Sequence, residues 1–272
     1  MVYWAEQAKK DIQANNPDVE VILASAKDSA EQVDQIERML VQGIKNLVVL
    51  PNEPAPLLNV CKKAKEQGVG LVVVDRGLPE PVADITVVGN NTAFGEAAAE
   101  SMGTLLNGKG KVVIMEGIPC QVNTDRVEAF RKTIAAYPGI EIIATGVSNW
   151  STEKGLSLME NFLQKFPQID AVWAGDDDVL IGALKAYEES KRKDVKFFIG
   201  GGGSKLIIKK ILDKDPLVPL TVTYPPRMLY VAAFEALEMI RGKQVKDPIK
   251  VVPSEVVDSS NAEQHYYPDS AY

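Results

Sequence analysis

Short runs of Val, Ile and Leu, each followed by a helical pattern, recur along the whole chain: "VEVILAS" (residues 19–25), "NLVVL", "GLVVVD", "ITVVG", "KVVIME", "IEIIAT", "DAVWAG", "KFFIG" and "LTVTY". Near-continuous apolar runs of this kind are strands buried on both faces, and amphipathic helices between them are the covering layers of parallel sheets. The intervening segments predict helices from residue 29, from Pro54 to 67, and over 93–106, 123–137, 152–166, 179–190, 205–212 and 228–241. The helix from residue 29 places Ser29 three before Gln32, the spacing of a capping box, and aligns Val33, Ile36 and Leu40 on one face. Pro54 suits a first turn, and Gly68 ends that helix. The opening residues, "MVYWAEQAKK", enter a helical pattern at once.

There are too many such units for one open sheet. A (β/α)8 barrel and a pair of doubly wound lobes both accommodate them, and both place ligands at the carboxyl ends of parallel strands. Chemistry-bearing residues stand just there: Asp75 and Arg76 after "LVVV", Asp176 after "VWAG", and Tyr224 after "LTVT".

Composition removes several functions. The chain carries a net charge of −7 with no cluster of Lys or Arg, which argues against nucleic acid. No apolar run approaches the roughly 20 residues of a membrane-spanning helix. The start lacks the basic residues and cleavage site of a signal peptide. Cys61 and Cys120 lie too far apart to suggest a metal site or redox pair; Cys61 reads as a core residue of a helix and Cys120 as a loop residue. The single histidine, His265, argues against a His-based triad or a multi-His metal site. No catalytic residue, metal or cofactor is expected.

The stretch "KFFIGGGGSKLIIKK" (residues 196–210) sets glycines and a Ser-Lys pair at a strand-to-helix turn, as a phosphate cradle does. The spacing fits neither familiar cradle. A Walker loop needs Lys directly after its last Gly, but Ser204 intervenes; G-x-G-x-x-G would need its third Gly at Lys205 or Leu206. What remains is a tight turn where something comes close to backbone.

"VVVDRG" (72–77), "GNN" (89–91), "TDRVEAF" (124–130) and "AGDDDVLIGALKA" (174–186) fall in order, and together they resemble the periplasmic sugar-binding proteins of the ribose-binding type. The resemblance spans nearly the whole chain. It implies an α/β protein of two doubly wound parallel-sheet lobes joined by a three-crossing hinge: residues 1–90 with 225–251, and 91–224 with 252–272. The crossings are expected near 89–91, 224–226 and 251–253, where apolar strands give way to Gly, Asn or Pro. It further implies a small sugar or polyol held in the cleft and delivered to an ABC-transporter permease, a periplasmic or extracytoplasmic location, no chemistry and a monomer.

Carried over by position, the family's ligand-binding residues fall on Asp75, Arg76, Arg126, Trp150, Asp176, Gly202 and Tyr224. Trp150 stands where an aromatic stacks on the sugar ring. Three positions depart from the family: Asp176 replaces an asparagine, Gly202 an aspartate and Tyr224 a glutamine. A polyol site needs charged and amide groups around hydroxyls and an aromatic against the C–H face; here a carboxylate has moved across the pocket. At Gly202 the space a side chain would take is expected to be left open, for a larger ligand, water or backbone N–H contacts.

Each residue has a plainer reading. Asp75-Arg76 suits a structural ion pair at a strand end, Trp150 a core position, and Arg126 an exposed helix face, although a first-turn arginine asks for an anionic or polar partner. The run Asp176-Asp177-Asp178 suits helix capping; Asp177 or Asp178 is expected to cap and Asp176 to bind. Trp173, inside an apolar strand, reads as core. At the level of function, the effector-binding core of a LacI-type regulator shares the fold, and a sugar enzyme using the carboxylates as acid and base is the third reading. Family members also begin with a strand that this chain lacks at its start. In the order 2-1-3-4-5 that strand is central, between "VEVILAS" and "NLVVL", and an upstream extension is expected to supply it.

Overall fold

The computed structural model describes residues 2–225 and 227–270. In chain order the elements are α1 (Val2–Asn15), α2 (Ser29–Val41), β1 (Asn46–Val49), α3 (Pro54–Glu66), β2 (Gly70–Val74) and β3 (Ile85–Gly89), then α4 (Asn91–Leu105), β4 (Lys109–Glu116), α5 (Gln121–Ile134), β5 (Gly139–Val147), α6 (Thr152–Lys165), β6 (Ala171–Ala174), α7 (Asp177–Ser190), β7 (Phe197–Gly202), α8 (Lys205–Leu212) and β8 (Leu220–Thr223). The chain closes with α9 (Met228–Ile240), β9 (Ile249–Val252), β10 (Val256–Asp258) and α10 (Ala262–His265). It forms two compact units, Met1–Gly89 with Pro226–Val252, and Asn90–Pro225 with Pro253–Tyr272. Pro226, part of one expected crossing, lies outside the described residues.

The first unit is built on a four-stranded parallel sheet in the order β1-β2-β3-β9. Leu47, Val49, Leu71 and Val73 alternate onto one face and pack with Ile36 and Leu40 of α2 and with Leu57, Val60 and Cys61 of α3. Burial pushes the Cys61 thiol up to about 11, consistent with a small hydrophobe of the core. Helix α9 lies against β1, β2 and β3, and α1 packs on α9. Tyr230 donates to Asp11 at 2.8 Å, and Arg241 pairs with Asp18 at 2.8 Å.

Two expectations fail in this unit. Residues 19–25 are not a strand: "VEVILAS" has no ladder partner among the described residues, and Ile22 and Leu23 are 43% and 42% exposed. An apolar run becomes a strand only where another strand accepts its hydrogen bonds, and the sheet ends at β1. The cap of α2 is Asp28 rather than Ser29. Asp28 accepts from Glu31 N at 2.8 Å while Lys27 N donates to the Glu31 carboxylate at 2.9 Å, a box displaced by one residue. The Ser29 hydroxyl is buried without a partner among the described residues, and Gln32 binds Leu50 O and Asn52 N instead.

The second unit has a six-stranded sheet in the order β10-β8-β7-β6-β4-β5, parallel except for β10 at the edge. Helices cover both faces, which makes it doubly wound. Phe94, Ala98 and Met102 of α4 and Phe130 of α5 pack on one face around Trp173, whose ring stacks on Phe130 at 4.1 Å. Met159, Leu180, Ile207 and Phe198 pack on the other. Trp173 is core, as its sequence setting implies. Helix α5 begins at Gln121, so Arg126 stands in its second turn rather than its first.

Candidate functional site

In the first unit, β2 is followed by Asp75, which takes a left-handed conformation (φ 65°) that aspartate tolerates better than most residues. Its N–H donates to Val87 O at 2.8 Å, so the turn is tied to β3. The Arg76 guanidinium lies 3.9 Å from the Asp75 carboxylate and donates to Asn52 O at 2.6 Å. The pair thus stands at the carboxyl ends of the parallel strands.

In the second unit Arg126 is held from several sides. It is 4% exposed, which excludes a plain surface arginine. Its Nε donates to Asn91 Oδ1 at 2.9 Å and its Nη1 to Gly175 O at 3.0 Å. Its guanidinium carbon is 4.2 Å from the Phe94 ring centroid and 4.4 Å from that of Tyr224. Two aromatic faces on one planar cation hold it flat, each contact contributing roughly 0.5–2 kcal/mol. Sequence reading missed Asn91 and Phe94 as parts of this arrangement. The "GNN" motif already contained Asn91, and Phe94 follows it three residues later on α4.

The aspartate run does not divide as expected. Asp176, half-buried, caps α7 by accepting from Asp178 N at 2.9 Å. Neither Asp177 nor Asp178 is the cap, because α7 starts at Asp177 and only Asp176 has the extended backbone of a cap. Burial pushes the Asp176 carboxyl up to about 7, and the adjacent Asp177 charge adds to the rise.

Asp177 points inward and is fully buried. One carboxylate oxygen accepts from Gly203 N at 2.9 Å and from Ser204 N at 2.6 Å; the other accepts from Thr221 Oγ1 at 2.9 Å. Burial pushes its carboxyl up to about 6, while these donors pull it back. The glycine run therefore is an anion cradle, occupied by the protein's own carboxylate. A Cβ at Gly200 would lie 2.2 Å from the Asp177 carboxylate, and one at Gly201 would lie 2.0 Å from the Phe94 ring. Gly202 and Gly203 take φ 121° and 84°, which side chains other than hydrogen rarely allow. Around Gly202, where open space is expected, the Gly203 and Ser204 N–H groups are taken by Asp177, and the volume beside Gly201 by Phe94. Lys205 donates to Pro268 O at 3.0 Å and Ser270 O at 2.6 Å, so the Ser-Lys pair serves the fold.

Tyr224 follows β8, its N–H donating to Gly202 O at 3.2 Å and its ring on Arg126. Trp150 lies in the turn after β5, half-buried, with its pyrrole edge against Gly117 at the end of β4. Arg126, Tyr224 and Gly202 are thus brought together, and Asp176 is close enough for the Arg126 charge to act on its carboxyl.

A parallel-sheet protein whose charged and aromatic residues gather where the strands end belongs to the doubly wound binding class. The periplasmic binding protein domain model matches residues 1–244, and the chain belongs to that family. The ribose import binding protein of Bacillus subtilis is 30% identical over 231 residues, covering 84% of this chain and 74% of that protein. A xylitol-binding protein of Mycolicibacterium smegmatis is 28% identical over 250 residues, covering 90% of this chain and 70% of that protein. Among solved structures, a periplasmic solute-binding protein of an ABC transporter from Actinobacillus succinogenes, with bound D-allose, superposes with a TM-score of 0.83 at 25% identity, covering 96% of this chain and 93% of that one.

Proposed function

We propose that this chain is an extracytoplasmic solute-binding protein that captures a small sugar or polyol and presents it to the permease of an ABC importer, without chemistry on the ligand. The observation that carries this reading is Arg126, held flat between Phe94 and Tyr224 with Asp176 nearby. A fixed planar cation and a carboxylate supply donor and acceptor to adjacent hydroxyls, and bidentate donors of this kind give the strongest hydrogen bonds to neutral or charged oxygens. Trp150 offers an aromatic face for the C–H side of a ring, and Asp75 with Arg76 supplies the first unit's share. The protein works as a monomer.

Titration calorimetry against D-ribose, xylitol, D-allose and myo-inositol tests the reading. At least one should bind with a dissociation constant well below a millimolar and be recovered unchanged. Silence from all four at millimolar concentration sinks the ligand class, and turnover of any of them sinks the non-catalytic role.

A further inference from the structure

Trp150 carries two unfavourable features at once. Its backbone is left-handed (φ 54°), directly after Asn149 in the same conformation, a region a bulky residue rarely adopts. Its indole Nε1 is buried without an acceptor among the described residues, although a buried indole N–H normally finds one. Backbone strain and an unpaired side-chain donor on a single residue persist only where the surroundings dictate its place. Those surroundings are rigid on both sides. Ser148 donates to Glu116 O through both N and Oγ, at 2.8 and 2.6 Å, and Ser151 caps α6. Opposite, Gly117 N donates to Asn123 Oδ1 at 2.7 Å, and Asn123 is itself 7% exposed.

The ring rests on Gly117. A Cβ there would lie 1.9 Å from Nε1 and 2.2 Å from Cε2, so any other residue would drive the indole away from β4. We propose that Gly117 is a positioning residue: its missing side chain is the seat that sets the height of the Trp150 ring above the ligand. This rests on the reading of Trp150 as the stacking aromatic of the proposed function. The anchoring by Ser148 and Asn123 means the ring has one seated position, so ligand thickness is matched by that seat and not by side-chain adjustment.

Gly117→Ala, Trp150→Ala and the double variant should be titrated with D-ribose, xylitol and D-allose. Each single variant should weaken the tightest of these by about tenfold or more, and the double variant should bind no worse than Trp150→Ala alone, because the seat matters only through the ring. Gly117→Ala should also shift the tryptophan emission to the red as Nε1 meets water, and Trp150→Phe should abolish that shift. If Trp150→Ala weakens binding and Gly117→Ala does not, the seat is overturned while the proposed function stands. If Gly117→Ala costs its full factor in the Trp150→Ala background, Gly117 acts elsewhere and the seat is again overturned. If Trp150→Ala leaves all three ligands unaffected, the stacking role itself fails. Should Gly117→Ala not fold, the double variant should, since the clash is then gone; a double variant that also fails to fold overturns the proposal.

Discussion

Arg126 and Asp177 show how differently two buried charges of one unit are used. Arg126 keeps its guanidinium flat between two rings. Arg126→Ala and Asp75→Ala should each weaken sugar binding by about 1.5–3 kcal/mol, the range for hydrogen bonds to charged groups, with calorimetry as the measure; losses near zero at both would remove them from the site. Asp177 spends its charge inside the fold. Asp177→Ala leaves the Gly203 and Ser204 N–H groups and the Thr221 hydroxyl without their acceptor, at about 1–3 kcal/mol for each buried donor left unpaired, so its urea midpoint should fall well below that of the parent. The sign with pH follows from the carboxyl itself. Its folded-state value of about 6 lies above the ordinary 3.8, so its contribution to stability is complete below pH 3.8 and is lost as pH rises through 6. Asp177→Asn should flatten that loss by on the order of 2–3 kcal/mol between pH 4 and 8; an unchanged slope would mean another group titrates. The sequence showed that something approaches the glycine backbone, yet not what: the carboxylate stands 26 and 27 residues before its donors, and only the folded sheet makes them neighbours.

Elements were legible wherever local chemistry decided them. Pro54, the apolar stripe of α2 and the Val-rich runs of β2 and β4 each state their structure within a few residues. The failures occur where a partner decides. Residues 19–25 have strand composition and no strand to pair with, whereas β9 and β10 are short, flanked by Pro253, and partly exposed, yet pair because β3 and β8 receive them. The same logic gives an exchange experiment. Strand β1 has one neighbour and β4 has two, so amides of β1 around Val48 should exchange faster than those around Val112; equal protection would show that β1's outer edge is covered in solution. Capping chemistry gives a second. Asp28→Ala should cost about 1 kcal/mol of stability and Ser29→Ala almost nothing, since only Asp28 receives a helix N–H.

At the scale of the molecule, the alternation of apolar runs and helices foretold parallel sheets covered on both faces, but it suited a (β/α)8 barrel as well as two doubly wound lobes, and the motifs of 72–77, 89–91, 124–130 and 174–186 chose between them. The chain passes between its two units at 89/90, 225/226 and 252/253. A ligand that engages residues of both units, as the proposed function holds, should draw them together by shifting a conformational equilibrium. X-ray scattering should then show a smaller radius of gyration at saturating ligand; an unchanged radius would place capture within one unit. The filled glycine cradle has a consequence for what the protein ignores. A turn whose Gly203 and Ser204 N–H groups are already taken by the protein's own carboxyl has no vacancy there for free phosphate, nucleotides or phosphorylated sugars, so those abundant solutes gain no foothold at that turn and do not compete there with uncharged cargo.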